Sequence, residues 1–229
     1  MYVYRMIRKF FKFIFKLVLG FVLLSALWVV IYKYVPVPYT PLMVIRSMDA
    51  TDDHEIKHTW VSIKEISTYL QLAVVCAEDQ KFSSHNGFDR AAIEKAFKSN
   101  QQGKRLRGGS TISQQTAKNA FLWPDRSWLR KGLESWFTFL IEQIWTKERI
   151  LEVYLNSIEM GNGVYGAQAA AQYWFQKDAN DLSRREAACL AAILPNPRNY
   201  SANPPSLYVE KRAQWIVKQM RNYGTFNLE

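Results

Sequence analysis

An almost uncharged apolar run near the N-terminus constrains this chain more than any other feature. The run extends from Leu17 to Tyr32, lies between Lys16 and Lys33, and follows a strongly basic stretch. A transmembrane helix needs about 20 apolar residues, and flanking lysines can snorkel to lengthen a short run. The sequence therefore predicts a transmembrane helix over 17–35 after a basic cytoplasmic tail over 1–16.

A cleaved signal peptide and a buried core helix are the two alternatives for this run. No small-x-small cleavage site follows it, its apolar part is long for a signal core, and Pro36-Val37-Pro38 is typical of a stiff linker. These features favour an uncleaved span. Because basic flanks stay in the cytoplasm, a juxtamembrane linker over 36–60 and a domain over 61–229 are expected on the other side.

The net charge of +10 is distributed unevenly. Residues 1–46 hold seven basic residues and no acid, and residues 95–131 hold nine basic residues against one acid, Asp125. The rest of the chain is mildly acidic, so the basic segment indicates a local anion site. Nucleic acid is the usual partner of such a patch, but an exported domain rarely meets it. Phospholipid headgroups or a phosphorylated lipid substrate fit better.

The domain after the linker is predicted to be almost entirely helical, with no strong alternating strand. Two capping boxes, Thr111 with Gln114 and Ser183 with Glu186, mark helix starts, and Ser127 can cap a long amphipathic helix. The predicted helices cover about 66–78, 91–100, 128–144, 150–156, 167–175, 184–194 and 209–220, and a further helix is predicted to start at Thr111. The sequence predicts one all-α domain behind one span.

The two cysteines and the histidines indicate no metal site. Cys76 and Cys189 both lie in apolar stretches and are typical of small buried hydrophobic residues, and the sequence leaves open whether they are bridged. No CxxC, HExxH or His/Cys cluster is present. A zinc site is therefore not expected.

Two glutamates about fifty residues apart flank a polar turn in the basic segment. Glu78 and Asp79 end one predicted helix, Gly109 precedes the next, and Glu134 follows Arg130-Lys131. A carboxylate can accept a hydroxyl proton, while cations and a helix N-terminus can stabilise an anionic leaving group. Each piece alone has a plainer interpretation: a solvated helix end, a capped loop, or an i,i+4 surface pair.

Five motifs in order resemble those of the peptidoglycan glycosyltransferases, the polymerase module of class A penicillin-binding proteins. They cover most of the chain between Val61 and Arg221, and the short length with one span resembles the monofunctional members of that family. The matching segments are Ala77-Glu78-Asp79-Gln80-Lys81-Phe82 through Asp89, Gly108–Asn119, Arg130–Glu134, Lys147–Asn156 and Arg185–Pro197.

The resemblance implies a lysozyme-like helical domain on the outer face of the bacterial inner membrane, with one membrane pass and a periplasmic catalytic domain. It also implies that lipid II is polymerised into glycan strands, with inversion at the anomeric carbon and release of undecaprenyl pyrophosphate. The implied partners are lipid II, the growing strand, inner-membrane lipids and other cell-wall synthesis or division proteins. No nucleic acid is expected, and cross-linking is not expected because no Ser-x-x-Lys is present.

Residue by residue, the resemblance makes Glu78 the general base and Glu134 a second catalytic glutamate. The role of Glu134 stays open between catalytic partner, cation ligand and clamp for Lys131. A divalent cation, Mg or Mn, at the pyrophosphate is left open, and no metal ligand is identified. The residues expected to bind substrate are Asp79, Ser110, Thr111, Gln114, Gln115, Lys118, Asn119, Arg126, Arg130 and Lys131.

Two other functions remain open at this point. A glycan-cleaving muramidase also suits a helical fold with a key glutamate, but it has no pyrophosphate to hold with a basic segment. A non-catalytic membrane scaffold could use the same basic residues for lipid headgroups alone.

Overall fold

The structure, a computed structural model, describes residues 2–48, 56–91, 94, 109–125, 127–224 and 226–228. The chain forms two compact units, Met1–Val35 and Pro36–Glu229. The predicted helix over 91–100 lies mostly outside the described residues. Residues 95–108 of the basic segment and Arg126 lie entirely outside them.

The first unit is a single helix, α1 (Tyr2–Tyr34). Its stretch Tyr4–Tyr34 is 31 residues long and, by length and composition, apolar enough to cross a membrane. The helix begins well before Leu17, because lysine, arginine and phenylalanine all tolerate helical backbone and no proline precedes Pro36. This helix fits a membrane-anchored protein.

Helices make up most of the second unit. Where the predicted helices fall on described residues, they are present with bounds shifted by a few positions. The helices are α2 (Pro41–Met48), α3 (Thr68–Glu78), α4 (Ile112–Phe121), α5 (Trp128–Ile144), α6 (Lys147–Ser157), α7 (Ala167–Phe175), α8 (Arg184–Ile193) and α9 (Leu207–Asn222). Short 3-10 turns lie at Ile63–Glu65 and Ala179–Asp181.

Side-chain caps explain where several helices begin. The predicted capping boxes at Thr111 and Ser183 are confirmed, and Ser127 accepts a hydrogen bond from the Arg130 amide as expected. Such a cap satisfies a backbone N–H that the helix cannot bond itself and contributes about 1 kcal/mol. The start of α4, which carries several predicted site residues, is therefore set locally by Thr111.

A small sheet accompanies the helices. Its strands are β1 (Lys57–His58), β2 (Glu159–Gly161) and β3 (Val164–Tyr165), and β3 lies between a parallel β1 and an antiparallel β2. Strands this short show no alternating pattern, so they could not be predicted from the sequence. The sheet adds a minor element to a helical domain.

The core of the second unit forms where two groups of helices pack. Helix α8 packs on α3 and α9, and its alanines, including Ala188 and Ala191, are fully buried and allow close approach. Helix α4 packs on α5 and α6, where Phe121 stacks on Phe137 with ring centroids 4.6 Å apart. The C-terminus of α3 meets the N-terminus of α4 at the boundary of these groups, and the predicted site lies there.

Candidate active site

Asp79 joins the end of α3 to the start of α4. Its carboxylate is buried and accepts hydrogen bonds from His85 Nε2 at 2.9 Å and from the Ile112 backbone N–H at 3.0 Å. A carboxylate favours a helix N-terminus because unpaired N–H groups and the helix dipole both attract negative charge. Asp79 therefore fixes the position of Glu78, its neighbour in the chain, relative to α4.

His85 extends this connection into the loop that follows α3. Its Nδ1 accepts a hydrogen bond from the Gly87 amide at 3.1 Å, so its proton is on Nε2, which donates to Asp79. The Thr111 hydroxyl donates to the Gly87 carbonyl at 2.6 Å. The loop and the cap of α4 are thus hydrogen-bonded to each other.

Glu78 is half-buried and is held by one residue of α4. Gln115 Nε2 donates to Glu78 Oε2 at 3.0 Å, and Gln115 Oε1 accepts from the Tyr154 hydroxyl at 3.3 Å. Burial first, and then the charges of Glu78 and Asp79, raise the pKa of the Tyr154 phenol well above its usual value. Tyr154 therefore stays a neutral donor behind Gln115.

Glu134 is the other predicted catalytic glutamate, and its exposed fraction is only 3%. One carboxylate oxygen accepts from Arg130 Nη1 at 2.8 Å, and the other accepts from Lys131 Nζ. The i,i+3 and i,i+4 spacing along α5 places all three side chains on one face. The alternative of an exposed surface pair does not hold, because the carboxylate is buried.

Lys118 lies on α4 within electrostatic range of both glutamates. Burial lowers the pKa of its ammonium, Glu134 and Glu78 act to raise it, and Arg130 and Lys131 lower it further. The ammonium donates no hydrogen bond to a described residue. A half-buried cation with unused donors is suited to hold an anion from outside the protein.

A groove of about 270 Å³ adjoins these cations. Lys118 and Arg130 contribute positive charge to its wall, and apolar side chains come from α2 and from the end of α4. Its lining residues are Leu42, Lys118, Asn119, Leu122, Trp123, Pro124, Asp125 and Arg130. The mixture of cationic and apolar walls suits an anionic amphiphile.

Comparison with known proteins identifies the family of the chain. The model of the Transglycosylase family matches residues 44–221. The chain belongs to the transglycosylase family. This membership confirms the expected class of enzyme, a glycosyltransferase of cell-wall biosynthesis, and the helical lysozyme-like fold.

Relatives named biosynthetic peptidoglycan transglycosylase match almost the whole chain. The protein of Shewanella oneidensis is 50% identical over 98% of this chain and 97% of its own length. That of Bacteroides thetaiotaomicron is 52% identical over 93% of this chain and 88% of its own length. That of Stutzerimonas stutzeri is 53% identical over 91% of this chain and 88% of its own length.

The predicted substrate-binding residues fall into distinct groups in this transglycosylase. Gln115, Lys118, Arg130 and Lys131 surround the two glutamates, and Asn119 lines the groove. The side chains of Asp79, Thr111 and Gln114 instead bond within the protein. Ser110 is exposed just before α4, and Arg126 lies outside the described residues.

A partly buried polar cluster next to the site was not predicted from the sequence. Lys147 Nζ donates to the His85 carbonyl at 2.6 Å and to both oxygens of Glu142, and Ser113 donates to Glu142. The contact of Tyr154 with Gln115 was not predicted either. Lys147 and Tyr154 stand in the fourth motif, and a tyrosine in a buried helix needs a partner for its hydroxyl, which was the available signal.

The described residues contain no group of three or more His, Cys, Asp or Glu side chains that could hold a metal ion. Both oxygens of Glu134 are engaged by cations of α5. The donor set around Glu134 is therefore better suited to position Arg130 and Lys131 than to bind a divalent cation through the protein alone.

Proposed function

We propose that the chain polymerises lipid II into glycan strands of peptidoglycan, with inversion at the anomeric carbon and release of undecaprenyl pyrophosphate. The observation that carries the proposal is the arrangement along α4. Gln115 holds the carboxylate of Glu78, and Lys118, one turn further on, interacts with both Glu78 and Glu134. One helix, α4, thus positions the base at the end of α3 and supplies an anion-binding cation.

Glu78 is proposed to act as the general base. The 4-hydroxyl of the acceptor N-acetylglucosamine attacks the anomeric carbon of the terminal N-acetylmuramic acid of the growing strand, and Glu78 takes the hydroxyl proton. Gln115 occupies Oε2, while Oε1 accepts no hydrogen bond from a described residue. One oxygen is therefore available to a hydroxyl within hydrogen-bonding reach.

The cations are proposed to hold the leaving group. As the bond from the anomeric carbon to the phosphate oxygen breaks, its electron pair passes to the pyrophosphate, which gains negative charge. Lys118, Arg130 and Lys131 supply fixed positive charge at that point. Glu134, paired with Arg130 and Lys131, is proposed to act mainly as a clamp that orients them.

A divalent cation at the pyrophosphate also stays a proposal. Because Arg130 and Lys131 occupy both oxygens of Glu134, a Mg or Mn ion would be held chiefly by pyrophosphate oxygens and water.

The location and partners are proposals of the same kind. The apolar helix α1 is proposed to anchor the chain in the bacterial inner membrane with the catalytic domain in the periplasm. Lipid II, the growing strand and inner-membrane lipids are the proposed partners, and contacts with other cell-wall synthesis or division proteins are proposed without a defined surface.

An assay with two substrates tests this function. The detergent-solubilised full chain is incubated with labelled lipid II and, separately, with purified glycan strands. We expect long strands from lipid II, and we expect Glu78→Gln to abolish them, because an amide cannot accept the proton. Glu148→Gln is the matched control, since Glu148 is an exposed residue of the first turn of α6, and it should leave strand synthesis unchanged.

The other outcomes separate the alternatives. Fragments released from finished strands would replace the proposal with glycan cleavage. No reaction with either substrate would favour a membrane scaffold and would overturn the enzymatic proposal.

A further inference from the structure

Tyr154 places a fully buried hydroxyl behind the proposed base. It lies on α6, and its exposed fraction is 0%. The hydroxyl donates to Gln115 Oε1 at 3.3 Å, and Gln115 Nε2 donates to Glu78 Oε2 at 3.0 Å. Three helices, α6, α4 and α3, are thus connected through one chain of hydrogen bonds that ends at the base.

The direction of this chain follows from the chemistry of its members. An ionised carboxylate only accepts hydrogen bonds, whereas a primary amide has a donor end and an acceptor end. A neutral phenol can donate to the acceptor end of the amide. With Tyr154 as donor, the amide of Gln115 presents its NH₂ group to Glu78.

We propose that Tyr154 is a positioning residue for Glu78, acting through Gln115. By fixing the orientation of the Gln115 amide, it keeps Oε2 of Glu78 bonded and directs Oε1 towards the acceptor hydroxyl. The inference rests on the proposed role of Glu78 as general base.

Several charged groups lie around Glu78, and they could also change its activity in a Tyr154 variant. Lys118 of α4 lies within electrostatic range of Glu78, Asp79 follows Glu78 in the chain, and His85 bonds Asp79. On α5, Arg130, Lys131 and Glu134 act through Lys118, and Arg212 of α9 bonds the Ala77 carbonyl at 3.4 Å. Tyr154→Phe removes none of these charges, so a loss of kcat would come through Gln115.

Tyr154→Phe should lower turnover without weakening substrate binding. Without the hydroxyl, the Gln115 amide can rotate and turn its carbonyl oxygen towards Glu78, so that Oε2 loses the hydrogen bond that positions the carboxylate. We expect kcat to fall about tenfold with KM little changed, which is the size of effect expected from one lost positioning hydrogen bond.

The matched control is Tyr165→Phe. Tyr165 is also fully buried, but its hydroxyl lies beside Arg46 and not beside Gln115. For both variants, kcat and KM are measured with full-length solubilised enzyme and labelled lipid II, together with thermal unfolding. An unchanged kcat in Tyr154→Phe, or equal changes in both variants, would overturn the proposal.

A double-mutant cycle keeps the inference testable if Tyr154→Phe lowers stability. In a Gln115→Leu background the route from Tyr154 to Glu78 no longer exists, so Tyr154→Phe should cause no further loss of kcat. Multiplicative losses from the two changes would show that Tyr154 acts independently of Gln115 and would sink the proposal. Retained activity in Glu78→Gln would instead overturn the proposed function, which separates the two failures.

Discussion

At the residue scale, Glu134 shows how burial changes the meaning of a sequence pattern. The pattern Arg130-Lys131 with Glu134 fits an exposed helix pair, which typically contributes a few tenths of a kcal/mol. With the carboxylate 3% exposed, the same contacts fix two cations beside Lys118. Of the three roles left open by the sequence, this geometry favours the clamp.

Lys118 provides the pH-dependent prediction at this scale. Because burial lowers the pKa of its ammonium, Lys118 should lose its proton at lower pH than a free lysine side chain. The positive charge proposed to hold the pyrophosphate would then disappear on the alkaline side earlier than for an exposed lysine. Affinity for lipid II should fall over that range.

Competitive amine labelling measures this shift without relying on activity. The full-length protein is labelled with a limiting amine reagent across a pH series, and the modification of Lys118 is quantified by mass spectrometry. Nα-acetyl-lysine in the same tube is the reference. We expect the midpoint of Lys118 labelling to lie at lower pH than that of the reference. A midpoint at or above the reference would contradict the prediction.

At the element scale, Gly87 is the position where the backbone most restricts the residue type. Its φ is +84°, and an added Cβ would lie 2.8 Å from Thr138 Cγ2 and 3.0 Å from Glu142 Cγ. Glu142 cannot easily move because Lys147 holds both of its oxygens. The loop after α3 can therefore approach α5 only because residue 87 has no side chain.

Gly87→Ala should destabilise the domain by about 2 kcal/mol or more, from left-handed strain and from the close contact with α5. For a chain of this size that corresponds to a fall in Tm of roughly 4–8 °C. Gly132→Ala is the matched control, because its added Cβ meets nothing within 4 Å on α5 and should raise stability by about 0.5–1 kcal/mol. Thermal unfolding of both variants in detergent checks the pair, and similar Tm values would contradict this account.

The elements themselves were largely predictable because their signals are local. Threonine and serine caps predicted the starts of α4 and α8 closely, and the glycine turn that ends at Gly166 predicted the start of α7. The strands were not predictable, since two or three residues carry no pattern and pair only through tertiary packing. The sequence predicted the capping box that Thr111 and Gln114 form. It also predicted that both residues bind substrate.

The site was less predictable because its geometry depends on contacts between distant positions. The pairs Asp79–Ile112 and Gln115–Tyr154 each join residues more than thirty positions apart. The motifs predicted which residues form the site, but the sequence could not show that Asp79 bonds inward while one oxygen of Glu78 accepts no hydrogen bond from a described residue. That distinction arises from how α3 ends against α4.

At the scale of the whole molecule, charge asymmetry around α1 determines the proposed orientation. Five basic residues occupy 1–16, whereas the segment after the apolar run contains only Lys33 and Arg46 before residue 49. Basic residues close to a span resist translocation. The N-terminus should therefore stay in the cytoplasm, and the domain that carries Glu78 and Lys118 should be exported.

Reporter fusions at the C-terminus test this orientation in a Gram-negative host. Alkaline phosphatase folds into an active enzyme only in the periplasm, and green fluorescent protein exported in unfolded form stays dark, so the phosphatase fusion should be active and the fluorescent fusion dark. The control replaces Arg5, Arg8, Lys9, Lys12 and Lys16 with asparagine. This change removes the basic residues that keep the N-terminus in the cytoplasm, so it should reduce phosphatase activity. A bright fluorescent fusion with inactive phosphatase would place the domain in the cytoplasm, away from any periplasmic glycan.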